Sequence, residues 1–175
     1  MKATAIGIVI VLVTIVSPAF AADTKKPKTK FTSVYTDLAK SCEDKFDDSE
    51  GGQDIPVVCK GPGGYSVHVD FSACCEHVRV EGKKDIEVEF PAQRFVTAMK
   101  RKVEWRLADG KPFAVIFRIN KYKGEISLHP EKAGEVLVIK GLAGFPNIDS
   151  EVDVNPDSSP NLEARRLADH GYTLQ

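Results

Sequence analysis

Two cysteines stand side by side at Cys74-Cys75, followed directly by Glu76 and His77, with His68 on the stretch just before them. Thiolate sulfur and imidazole nitrogen are good ligands for zinc or copper(I). A metal ion or thiol redox chemistry would therefore belong here. The geometry depends on a turn. If Phe71 faces Glu76 across a four-residue turn, Asp70 faces His77; a two-residue turn sets His68 opposite His77 instead. Both registers keep Val67 and Val69 inward, so both stay open. The chain has neither a CxxC nor a spaced His pair of a known metal type. No metal site is assigned, and His68, Cys74, Cys75 and His77 remain weak candidates.

A second group is Glu104, Arg106 and Arg118, which alternation places on the strand face opposite Trp105. A carboxylate between two guanidiniums builds a charge-assisted network, able to hold an anionic ligand or a partner. The plainer reading is cross-strand pairing at a wet surface, worth about 0.2–1 kcal/mol per pair. These three are the candidate ligand or partner contacts, and Trp105 itself belongs to the core.

Other chemistry finds less support. Ser158, Ser159, Asp169 and His170 lie near one another, but there is no GxSxG elbow, and they fall on a loop and a helix end. No catalytic residue is assigned, and the expectation is that the protein is not an enzyme. The run 61–64 (GPGG) lacks the Lys-Ser/Thr of a phosphate loop. Residues 43–54 (EDKFDDSEGGQD) are acidic without the spacing of an EF-hand. No cofactor is expected.

The elements that would carry these residues have a period of two. In 65–71 (YSVHVDF), Tyr65, Val67, Val69 and Phe71 face one way and Ser66, His68 and Asp70 the other. In 76–81, Val78 and Val80 point inward. In 85–90, Ile86, Val88 and Phe90 do so, after a turn at Gly82-Lys83-Lys84. Residues 31–35, 55–60, 126–128 and 135–140 (EVLVIK) are further strands. Asp37 to Cys42 reads as a short helical turn, and Pro62-Gly63 as the centre of a type II turn. Residues 102–107 and 112–122 form a hairpin. A three-residue loop, Asp109-Gly110-Lys111, would set Trp105 opposite Val115 and Leu107 opposite Phe113. Residues 92–100 are ambiguous, with Phe95, Val96 and Met99 on a helical stripe. Ser159 is a candidate N-cap and Pro160 a first helical residue, for a helix over 162–170 ended by Gly171. Ala164, Leu167 and Ala168 would face the sheet, and Glu163 would pair with Arg166. Tight turns without βαβ alternation predict a mainly β fold. Its form is an antiparallel sandwich or partly open barrel of roughly seven to nine strands, with one short C-terminal helix; a balanced α+β fold is the alternative.

The N-terminal end has a different character. Lys2 precedes the apolar run 6–16 (IGIVIVLVTIV), Ser17-Pro18 breaks it, and Ala19-Phe20-Ala21 supplies small residues for a signal peptidase. Residues 1–21 are therefore expected to be a signal peptide, cut before Ala22. The run is shorter than the roughly 20 residues that span a bilayer. A periplasmic or secreted protein without a stable membrane anchor follows. Residues 22–36, with Lys25, Lys26, Lys28 and Lys30, read as a flexible segment, and 37–175 as one domain. The 175 residues are 42% hydrophobic and 28% charged, with net charge −1. That is globular composition, with no general electrostatic attraction to nucleic acid. The four cysteines would meet an oxidising compartment. Cys42–Cys59 is the favoured disulfide, because it closes the acidic loop with roughly 3 kcal/mol of chain-entropy stabilisation. Cys74 and Cys75 are then free, joined to each other, or used between molecules.

The runs CKGPGGYSVHV, VEWRLADGKPFAVIFRI, LVIKGLAG and NLEARRLAD resemble a group of uncharacterised exported, periplasmic proteins of alphaproteobacteria that carries no assigned activity. The resemblance covers most of the chain after the leader. It implies location and architecture, supports pairing Cys42 with Cys59, and implies no chemistry. The expected function is a periplasmic binding or inhibitor-like module, with an envelope protein as the candidate partner. The alternatives are a structural or envelope-stress protein without a small ligand, and a metal carrier or enzyme at the His/Cys edge.

Overall fold

The computed structural model describes residues 28–40, 42–43, 57–72, 75–83, 85–94, 101–123 and 131–175. The expected leader, Lys25 and Lys26, the acidic loop beyond Glu43, Cys74, the Phe95, Val96 and Met99 stripe, and the strand over 126–128 lie outside them. The strands are β1 (Phe31–Asp37), β2 (Cys42–Glu43), β3 (Val57–Lys60), β4 (Ser66–Phe71), β5 (Cys75–Glu81), β6 (Ile86–Glu89), β7 (Gln93–Arg94), β8 (Lys102–Ala108), β9 (Lys111–Tyr122), β10 (Lys132–Gly141) and β11 (Asp149–Asp153). One helix, α1 (Pro160–Thr173), follows.

Two antiparallel sheets form a sandwich. Sheet A has the order β1-β8-β9-β10-β11; sheet B has the order β2-β3-β4-β5-β6, with β7 also pairing β5. Alternation explains sheet B. Val67, Val69, Val78, Val80 and Val88 bury their side chains between the sheets, where they meet Val103, Trp105, Val115, Phe117, Val136 and Val138 of sheet A. Glu76 shares their parity and is also buried, next to Gln93 in register. Cys42 pairs Cys59 in register and in a disulfide, as expected. Trp105 is fully buried; its indole N–H donates to Thr36 Oγ1 at 2.9 Å, and that hydroxyl donates to the Lys60 carbonyl at 3.1 Å.

Sheet A is covered on both faces. Phe113, Ala114, Ile116, Leu137 and Ile139 pack outward against Ala164 and Ala168 of α1 and against Ile148. A strand buried on both faces reads as a continuous apolar run rather than an alternating one, as VLVI does in β10.

Several expectations need correction. The β8–β9 turn has two central residues, not three: Asp109 and Gly110 both have positive φ, 49° and 82°, and Ala108 pairs Lys111. That is the combination a type I′ hairpin turn requires. Trp105 still faces Val115, but a bulge between Arg106 and Leu107 sets Leu107 opposite Pro112. Phe113 thereby turns to the helix side, where it packs on Phe31 and Tyr172. Ile86 is exposed, because a second bulge shifts the β5–β6 register at Glu81. Residues 31–36, expected within the flexible segment, are strand: β1 pairs β8 along its whole length. Gly171 lies inside α1 rather than beyond it: a Cβ there would come within 2.6 Å of Ile148, so glycine is needed for close approach. Ser159 makes no side-chain cap; its carbonyl accepts from the Leu162 and Glu163 N–H groups. Pro160 at the first turn and the Glu163–Arg166 pair are as expected.

Candidate functional site

Glu104 and Arg106 are not at a wet surface. They are 7% and 6% exposed, covered by α1. Two residues along a strand span roughly 6.6 Å, and four along a helix roughly 6 Å. The strand pair Glu104/Arg106 therefore matches the helix pair Arg165/Asp169, with opposite charges in the same order. Arg165 Nε donates to Glu104 Oε1 at 2.6 Å, and Arg106 donates from Nε and Nη2 to Asp169 at 2.6–3.0 Å. Ser33 of β1 joins the two pairs, donating to Glu104 and accepting from Arg106 at 2.6 Å. The Glu104 carboxylate raises the pKa of Arg165 by hydrogen bonding to it. Both candidate residues are thus spent on docking the helix.

Arg118 has a different setting. It is one-third exposed and lies where α1 begins, with Nη2 only 3.5 Å from Asn161. The helix covers the sheet from Ala164 onward and leaves a groove beside its first turn. This groove holds about 420 Å³ and is lined by Tyr35, Arg101, Lys102 and Arg118, with Ile116 and Leu137 at its base. Glu104 is the carboxylate in its wall. Glu135 bridges behind it, 3.5 Å from Arg101, 3.2 Å from Arg118 and 2.9 Å from Lys132. Hydrogen bonding from Lys132 is the largest cause holding the Glu135 pKa below its ordinary value; Arg118 and Arg101 act in the same sense. Arg101 also donates to the Arg118 carbonyl and to Asn120, which locks it against β9. Tyr35, Arg101 and Lys102 were missed in the sequence. Tyr35 joins Arg118 because β1 pairs β8 with Tyr35 opposite Glu104, and Arg101 because it bonds β9 at Arg118 and Asn120.

The His/Cys edge lies on the outer face of sheet B. Phe71 pairs Glu76, so of the two expected registers the one with His77 opposite Asp70 is formed, and His68 faces Arg79; Ser72 and Cys75 also exchange backbone hydrogen bonds, at 2.8 and 3.3 Å. His68 Nε2 lies 3.1 Å from Glu81 and 2.9 Å from Ser66 Oγ, while its buried Nδ1 has no partner among the described residues. Burial lowers the His68 pKa; Arg79 adds to the effect and Glu81 opposes it. His77 is exposed and bonds Ser72 at 3.1 Å. Cys75 is disulfide-bonded. Among the described residues, no group of three His, Cys, Asp or Glu side chains is arranged to hold a metal ion.

The Ser/Asp/His residues do not converge. Ser158 donates to the Asn155 carbonyl, Asp169 is held by Arg106, and His170 is exposed. Ser159 and Asp169 are separated by about 15 Å of helix rise. The 61–64 run is turn chemistry: Gly63 has φ 67° and Gly64 φ 86°, and Tyr65 N–H donates to the Pro62 carbonyl. Searches for known relatives end without one: no protein-family model, curated protein or solved structure matches the chain.

Proposed function

We propose that the protein is an exported binding module that acts in the periplasm, with the groove beside the first turn of α1 as its binding surface. The carrying observation is the composition of that groove. Three cations, Arg101, Lys102 and Arg118, stand around an apolar base, and the one carboxylate in the wall among the described residues, Glu104, is already held by Arg165. Ligand sites are concave, largely preformed and supplied with a few convergent polar groups. Here the sandwich and the docked helix hold those groups on rigid elements. Export follows from the leader-like first 21 residues, and the disulfide between Cys42 and Cys59 suits an oxidising compartment. A purely structural envelope role is the second reading, favoured by the use of Glu104 and Arg106 to fasten the helix.

The test joins location to the groove. The full chain with a C-terminal tag is expressed in a Gram-negative host and recovered by osmotic shock. Its mass should correspond to a chain starting at Ala22. A library of small organic acids, amines and neutral amides is then screened by thermal shift. At least one compound should raise the melting temperature, and Tyr35→Ala with Arg118→Gln should abolish the rise. An unprocessed cytoplasmic chain would refute export. A ligand response unaltered in the double variant would refute the groove.

A further inference from the structure

We infer that the groove takes a small molecule bearing a carboxylate, seated between Arg118 and Lys102 with its apolar body against Tyr35. This rests on the reading of the groove as the binding surface, and it names the ligand class.

The groove carries an excess of positive charge among the described residues. Glu135 is shared by Arg101, Arg118 and Lys132, so one carboxylate faces three cations. Lys102 adds a fourth; its ion-pair partner, Asp37, is 3.7 Å away, and Lys102 is still 62% exposed. Glu104 cannot relieve this excess, since Ser33 and Arg165 occupy its oxygens. Arg118 keeps donor capacity: its Nη2 contact to Asn161, at 3.5 Å, is at the outer limit of a hydrogen bond. A guanidinium fork matches a carboxylate in two-point geometry, and an ammonium beside it adds a mobile point charge. Ile116 and Leu137 close the base, and the half-exposed Tyr35 ring forms a wall. Tyr35 is held upright because its hydroxyl accepts from Arg165 at 2.8 Å. A charged head next to an apolar base calls for an acid with an apolar body rather than a bare inorganic anion. The volume of about 420 Å³ lies within the range of small-ligand sites. Such a carboxylate belongs either to a free organic acid or to the C-terminus of a short peptide.

The experiment is isothermal titration of the whole protein at low ionic strength with two matched pairs. The first pair is octanoate and octanamide. The second is the tripeptide Ala-Ala-Phe with a free or an amidated C-terminus. At least one acid should bind at least tenfold more tightly than its amide, and the pair showing this identifies the source of the carboxylate. Arg118→Gln should erase the preference, Arg118→Lys should leave part of it, and Lys102→Met should reduce it severalfold. Circular dichroism and melting temperature establish that each variant is folded; if Arg118→Gln is not, Arg118→Lys and Lys102→Met decide. Acid and amide binding equally, with both weakened by Tyr35→Ala, would overturn the ligand class and leave the groove reading standing. An acid preference that survives both Arg118 variants would overturn the placement. Binding by none of the four probes would overturn both.

Discussion

Arg106 and Asp169 show what a buried ion pair does when only one partner is removed. Arg106 is 7% exposed at its side chain and Asp169 is 25% exposed. Truncating one member of a fully buried pair costs about 3–5 kcal/mol. Solvent at Asp169 reduces that, so Arg106→Met should cost about 2 kcal/mol by urea denaturation. Arg106→Met with Asp169→Leu should cost less than Arg106→Met alone, because no charge is then stranded. A double variant as unstable as the sum of its singles would show that the two residues do not act as a pair. His68 carries a pH-dependent counterpart. Its pKa is lowered in the folded state, chiefly by burial, from an ordinary value of 6.5. A proton placed on its buried Nδ1 finds no acceptor among the described residues. The unfolded chain therefore binds more protons just below pH 6.5, and stability falls as the pH drops through that window. Replacing His68 with Gln should flatten the stability profile between about pH 7 and 5. A wild-type profile that is already flat there would contradict the assignment.

At the scale of elements, the turns constrain the core as much as the strands do. Gly61 has an ordinary φ of −106°, so its requirement is space rather than conformation. A Cβ there would stand 2.5 Å from the Trp105 ring, which is completely buried and cannot yield. Gly61→Ala should destabilise by about 1–3 kcal/mol through overpacking. Gly110→Ala meets no atom within 4 Å and is opposed only by its positive φ, so it should cost less, about 1 kcal/mol. Chemical denaturation ranks the two variants, and the reverse order would overturn this account of the 61–64 loop. The same contrast explains what the sequence made legible. Sheet B could be read because one of its faces is polar, so alternation identified Val67, Val69, Val78 and Val80. The hairpin of β8 and β9 was only half legible. Both its faces are dry, so polarity carried no sign of the bulge that turns Phe113 to the helix side. Strand β11 (DSEVD) gave no signal because it is an edge strand with only Val152 as an apolar residue. In the candidate site, Arg118 was identifiable as a charge on a strand. Tyr35 and Arg101 were not, since only the pairing of β1 with β8 and the packing of β9 bring them to it.

At the scale of the molecule, sheet A is a partition between two interiors. One is the inter-sheet core around Trp105, and the other lies under α1 around Phe113. Tyr172 anchors the second: its ring stands 4.8 Å from Phe113, 5.2 Å from Phe145 and 5.5 Å from Phe31. These aromatic contacts, the Arg106–Asp169 and Glu104–Arg165 pairs, and the small face at Ala164 and Ala168 are what hold α1 down. None of them reaches sheet B, so the helix is able to release its hold without opening the sandwich. Tyr172→Ala removes the central ring and should cost about 2–3 kcal/mol, less than a fully buried aromatic because Tyr172 is partly exposed. By hydrogen exchange, the amides of α1 should then exchange roughly 30- to 160-fold faster. The amides of β4 and β5 should keep their protection, because their exchange requires the inter-sheet core to open. Equal acceleration in the helix and in both sheets would mean that the two interiors melt together. The groove beside the first turn of α1 would then be as rigid as the core itself, rather than governed by how firmly the helix is docked.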